Sequence, residues 1–164
     1  NTSPGRNRRL RQVLAAYLPP HILENQIRVT QNDARRWCLY EKEAYDRILL
    51  DAPCSSERHL LTTDKEMAKW MPARSRNLAF KQYTMLASAL DVVKIGGIIA
   101  YCTCSISPLE CDDVVARLQK RRPERVHFIQ PAIPYSEATL YGTYFLPDQS
   151  SWGPLYISLI QRTA

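Results

Sequence analysis

Gly96-Gly97-Ile98-Ile99-Ala100-Tyr101-Cys102-Thr103-Cys104-Ser105 is the stretch on which the fold turns. An apolar run that opens on a glycine pair and closes on Thr-Cys-Ser reads as a buried strand delivering a thiol to its carboxyl end. The one comparable run is Tyr45-Asp46-Arg47-Ile48-Leu49-Leu50-Asp51-Ala52-Pro53-Cys54, and it too ends in a cysteine. Ile48-Leu49-Leu50 is too continuous for a half-exposed strand, which predicts a central strand covered on both faces.

Between the two runs, Leu78, Gln82, Met85, Leu86, Ala89, Leu90 and Val93 recur at helical spacing, predicting a helix over about 75–93 that the glycine pair breaks. Residues 52–73 have no clean period and read as a long excursion, the kind of loop that often carries function. Upstream, Ser3-Pro4 suits a helix start. Leu10, Val13, Leu14 and Tyr17 continue that helix, and Pro19-Pro20 stops it. Ile27-Arg28-Val29-Thr30 is a short strand candidate, and residues 34–44 form a short helix or loop. Downstream, Ser107-Pro108-Leu109-Glu110 has the pattern of a capping box, with Ser107 as cap and Glu110 reaching back. That helix ends near Arg122, before Pro123. Val126–Ile129, about 141–146 and 155–160 complete the strands. Alternating strands and helices imply an α/β sheet with parallel pairs, and the strand-rich end implies an antiparallel finish. In such sheets ligands gather outside the carboxyl ends of the strands. Asp33, Asp51, Cys54 and Cys104 all fall at predicted ends.

Composition narrows the classes. The 164 residues are 45% hydrophobic, enough for one domain with a core. No apolar run approaches the roughly 20 residues of a membrane helix. The net charge of +6 is clustered at Arg6, Arg8, Arg9 and Arg11, at Arg74, Arg76 and Lys81, and at Lys120, Arg121, Arg122 and Arg125. Such clusters suit a polyanion, because neutralising phosphates releases counterions; solvated helix faces are the plainer account. Five cysteines, an odd count, argue against a disulfide framework. A single C-x-C without a partner pair argues against structural zinc. Cys38 and Cys111 read as buried, inert thiols. A Cys-His-Asn hydrolase would need His59, on the loop of Cys54, yet no Asn or Asp stands out to orient it. Five glycines in the whole chain supply neither a P-loop nor a GxGxxG turn.

Asp51-Ala52-Pro53-Cys54-Ser55 and Tyr101-Cys102-Thr103-Cys104-Ser105-Ile106-Ser107-Pro108 resemble the two cysteine motifs of the Sun-domain RNA cytosine-5 methyltransferases. Gly96-Gly97 matches that family's Pro-Gly-Gly entry, with Ile95 for the proline. Ser56-Glu57-Arg58-His59, Arg74-Ser75-Arg76 and Ser3-Pro4-Gly5-Arg6 resemble its mitochondrial ribosomal-RNA branch. The resemblance implies a Rossmann-like S-adenosylmethionine-dependent methyltransferase sheet, mostly parallel with an antiparallel C-terminal end. It also implies that residues 1–164 are the C-terminal part of a catalytic domain whose first strand and glycine-rich cofactor loop precede them.

The same resemblance implies roles. Cys104 is the nucleophile that adds to cytosine C6, Cys54 assists product release, and Asp51 holds the cytosine edge near the cofactor. Asp33 meets the adenine end of S-adenosylmethionine, with Ala34 where the family usually has glycine. Arg6 lies near the cofactor, and Asn1 stands where an acid usually grips the ribose. Substrate and partners follow in kind: ribosomal RNA, a ribosomal assembly intermediate, and a helical-repeat protein of the mitochondrial transcription-termination-factor type, in the mitochondrial matrix. A ribosome-assembly factor keeping the fold and a basic RNA face without turnover is the alternative expectation.

Overall fold

A computed structural model describes residues 2–56, 64–68, 71–148 and 153–164. Helix α1 is Pro4–Tyr17, with Ser3 accepting a hydrogen bond from the Arg6 amide as its N-cap. Helix α2 is Pro20–Gln26. The expected strand at Ile27–Thr30 does not form; this extended segment runs beside α1. Its carbonyls take side-chain donors in place of a strand partner: Asn7 Nδ2 donates to Thr30 O at 3.2 Å, and Arg11 Nη2 to Val29 O at 3.4 Å. A 3₁₀ turn, Ala34–Leu39, follows.

Strand β1, Tyr45–Asp51, is followed by the short helix α3, Asp64–Met67, and the long helix α4, Pro72–Val92. Strand β2 is Val93–Thr103. It begins before the glycine pair, and Gly96 (φ 79°) bends its first half, so α4 is ended by the strand and not by Gly96-Gly97. A second 3₁₀ turn, Pro108–Glu110, precedes helix α5, Asp112–Arg121. Strands β3 (Val126–Ile129), β4 (Glu137–Ala138), β5 (Thr143–Phe145) and β6 (Leu155–Arg162) complete the α/β sheet, in the order β1-β2-β6-β5-β4. β1 and β2 are parallel; β2 with β6, β6 with β3, β6 with β5, and β5 with β4 are antiparallel. One edge of β6 is shared end to end, Leu155–Ile157 pairing with β5 and Leu159–Arg162 with β3.

Leu86, Ala89 and Leu90 of α4 and Val114, Val115 and Leu118 of α5 bury one face of the sheet. Under them lie Ile48, Leu50, Ile99, Tyr101, Tyr156 and Ile160. Among the described residues β1 is an edge strand and not the central one expected. Its alternation buries Ile48 and Leu50 against the helices and leaves Leu49 73% exposed on the other face. No described helix is long and apolar enough to cross a membrane.

Candidate active site

Because β1 and β2 run parallel with Asp51 opposite Cys102, both strands end at the same edge of the sheet. The ladder continues one step further, the Ala52 amide donating to Cys102 O at 3.0 Å. Each chain then turns away, one through Pro53-Cys54-Ser55-Ser56 and the other through Cys104-Ser105. The two turns face each other. Ser56 Oγ lies 3.6 Å from Cys54 Sγ and 3.2 Å from Cys104 Sγ. The structure therefore unites the two thiols, with exposed Asp51 at the mouth of the first turn.

The thiols differ in surroundings. Cys104 is exposed and Cys54 half-buried. Burial pushes the Cys54 thiol up to about 11, so it keeps its proton at neutral pH. Cys102, one step down β2, is buried, and burial likewise holds it protonated.

What holds the turns was not legible in the motifs. Glu110 is fully buried and does not reach back to Ser107, which makes no side-chain cap. Its Oε2 accepts from the Ser55 amide at 2.9 Å and from Gln82 Nε2 at 3.0 Å. Gln82 Nε2 also donates to Pro53 O at 2.8 Å. The carboxylate and the amide thus clamp both sides of Cys54. A Ser55–Ser105 hydroxyl contact at 3.4 Å ties one turn to the other. Behind Ser105, buried Cys111 donates its S–H to Ser105 O at 3.4 Å, so this thiol packs and supports the turn. A glutamine on the apolar stripe of α4 was the signal available in sequence, since a polar group there must find a partner. Ser56 gave none. It has a left-handed backbone, φ 54°, which costs a non-glycine residue roughly 1–2 kcal/mol.

The remaining expected site residues are spread out. Asp33 caps the first 3₁₀ turn and is held by Arg35 Nη2 at 2.6 Å, with the Arg35 amide at 3.0 Å. These hydrogen bonds keep its carboxyl below the usual range. Ala34 is the first residue of that turn, and Arg6 is exposed on α1. Asn1 and His59 lie outside the described residues. Of the basic clusters, Arg8, Arg9, Arg74, Arg76, Lys81, Lys120, Arg121 and Arg122 are exposed, whereas Arg125 is bound to Asp91 at 2.8 Å. Among the described residues no group of three or more His, Cys, Asp or Glu is placed to hold a metal.

A mixed α/β sheet with two thiols at the ends of adjacent parallel strands is a Rossmann-like fold with a cysteine-bearing site. Comparison bears out the fold: an archaeal NSun6 from Pyrococcus horikoshii, crystallised with SFG, superposes with a TM-score of 0.80 at 19% identity, over 100% of this chain and 40% of that one. The family model described as 16S rRNA methyltransferase RsmB/F matches residues 6–161, and the chain belongs to this family. A 5-cytosine rRNA methyltransferase NSUN4 of Mus musculus is 40% identical over 117 residues, 69% of this chain and 30% of that protein. A mitochondrial tRNA (cytosine(34)-C(5))-methyltransferase of Mus musculus is 28% identical over 168 residues, 96% of this chain and 48% of that protein. The chain therefore spans less than half the length of each of these two relatives.

Proposed function

We propose that the protein containing this chain is an S-adenosylmethionine-dependent RNA cytosine-5 methyltransferase acting on ribosomal RNA through a covalent cysteine–C6 adduct. One observation carries the reading: two thiols of unlike environment, at the ends of adjacent parallel strands, meet on one hydroxyl. Cytosine C5 is a poor nucleophile, and addition of a thiolate to C6 makes it electron-rich. Exposed Cys104 is the sulfur positioned to meet a base; Cys54, protonated and clamped beside it, assists release when Cys104 is expelled, the C5 proton passing to solvent.

The site fits the cofactor in part. Asp51 is an exposed acceptor at the strand end, and Asp33 stays ionised with most of its lone pairs taken by Arg35. Asp51 and Asp33 would hold the cofactor's polar groups, with Ala34, Arg6 and Asn1 beside them. When bound, S-adenosylmethionine supplies the electrophilic methyl group. Resemblance supports the mitochondrial matrix and a partner of the transcription-termination-factor type.

Cys54→Ala in the full-length protein is expected to leave a covalent RNA–protein adduct on denaturing gels, because attack through Cys104 survives while release does not. A variant that turns over without accumulating adduct would remove Cys54 from the release step. Exposed Arg8 and Arg9 on α1 supply phosphate contacts in this reading. Changing both to Ala should weaken RNA binding and reduce the salt slope by about 1 for each arginine. An unchanged slope would take α1 out of the RNA face. Failure of the full-length protein to bind S-adenosylmethionine would favour the assembly-factor alternative.

A further inference from the structure

We propose that the Ser56 hydroxyl donates its hydrogen bond to the Cys104 sulfur and is the middle link of a relay, Cys54 S–H to Ser56 O–H to the Cys104 thiolate, that sustains Cys104 as the ionised nucleophile and stabilises it again as it leaves. This deepens the reading of Cys104 as nucleophile and rests on it.

The geometry places one oxygen within hydrogen-bond range of both sulfurs, at 3.6 Å and 3.2 Å. Distance alone leaves either atom free to donate, so the direction follows from charge. A thiolate has no proton and only accepts. A hydroxyl has one proton and two lone pairs, so Ser56 accepts from one sulfur and donates to the other. Half-buried Cys54, pushed up to about 11 by burial, is the sulfur that retains a proton at neutral pH. Cys104, in the reading that makes it the nucleophile, attacks as the thiolate and is then the acceptor at the end of the chain, 3.2 Å from the hydroxyl.

Two further observations fix the relay in place. The residue before Ser56 is anchored on both sides, its amide on Glu110 and its hydroxyl against Ser105. The left-handed backbone at Ser56 would suit glycine without strain, yet the chain carries here a side chain that reaches both thiols. No proton leaves the relay when Cys104 bonds to C6. The Ser56 O–H loses its charged acceptor at that moment and regains it when the C6–S bond breaks and the electron pair returns to sulfur.

The test is alkylation by iodoacetamide in the full-length protein, without cofactor or RNA, the Cys104 peptide being followed by mass spectrometry across a pH series. Ser56→Ala is expected to raise the pH midpoint of Cys104 alkylation by about half to one unit, a rate roughly 3–10-fold lower below the midpoint. Ser56→Gly removes the same hydroxyl but relaxes the backbone, and should give the same shift. An unchanged midpoint in both variants overturns the relay. So does a shift in one variant alone, which would trace the effect to the backbone and not to the hydroxyl. The measurement needs no methyl transfer. If the midpoint moves with Ser56 while Cys104→Ala still methylates RNA, the hydrogen bond stands and the assignment of nucleophile fails.

Discussion

Cys104→Ala is expected to eliminate methyl transfer by the full-length protein, a loss on the order of 10⁴-fold or more, as when an enzyme's attacking atom is removed. The size follows from the chemistry of the base. Without sulfur at C6, C5 keeps its weak nucleophilicity and no neighbouring group replaces the lost electron density. Cys54 is a poor substitute because burial holds its proton and its turn is clamped by Gln82 and Glu110. The substitution should leave the fold intact, since Cys104 is exposed and the neighbouring Ser105 is held independently. Cofactor affinity and melting temperature should therefore match the parent protein. Methylation of ribosomal RNA at an undiminished rate would end the case for Cys104.

Glu110→Ala carries the largest expected cost in stability, about 3 kcal/mol, since it strips two buried donors of their shared acceptor. The Ser55 amide and the Gln82 amide would both be left facing a small cavity behind Cys54. For a domain of this size the change corresponds to a fall of roughly 6–12 °C in Tm. Glu110→Gln keeps one acceptor and nearly the same volume, so its cost should be about 1 kcal/mol. Thermal unfolding of the two variants side by side separates the explanations. Equal losses would mean that packing volume matters here and the hydrogen bonds do not.

Much of the site was readable in the sequence because the apolar runs are long and each stops at a thiol. Parallel pairing of the two runs, and with it the meeting of Cys54 and Cys104 at one edge, follows from that pattern and the helix between them. The strand order was not read from it, and the sheet expected as mostly parallel has one parallel pairing among the described residues. Three more things were not readable. Ser107 and Glu110 satisfy a capping pattern, and only tertiary contact with Ser55 and Gln82 draws Glu110 inward instead. Ile27–Thr30 alternates as a strand should, but a strand also needs a neighbour, and side chains of α1 take its carbonyls. Among the described residues β1 has one face open; an unbroken apolar run shows which side chains are apolar and not what lies over them. Leu49 is apolar and open.

The place of β6 between β2 on one edge and β3 and β5 on the other has a consequence for how the protein is made. Ile98–Thr103, the half of β2 that leads to Cys104, pairs on its second edge with Tyr156–Gln161, among the last residues of this stretch to leave the ribosome. Until they emerge, the thiol-bearing strand has an open edge and the apolar side chains beside it lack their partner Tyr156 and Ile160. Synthesis thus delays completion of the strand that carries Cys104 until β3, β5 and their connections already exist. A nascent chain that stalls before β6 exposes a sticky edge and offers no finished thiol site.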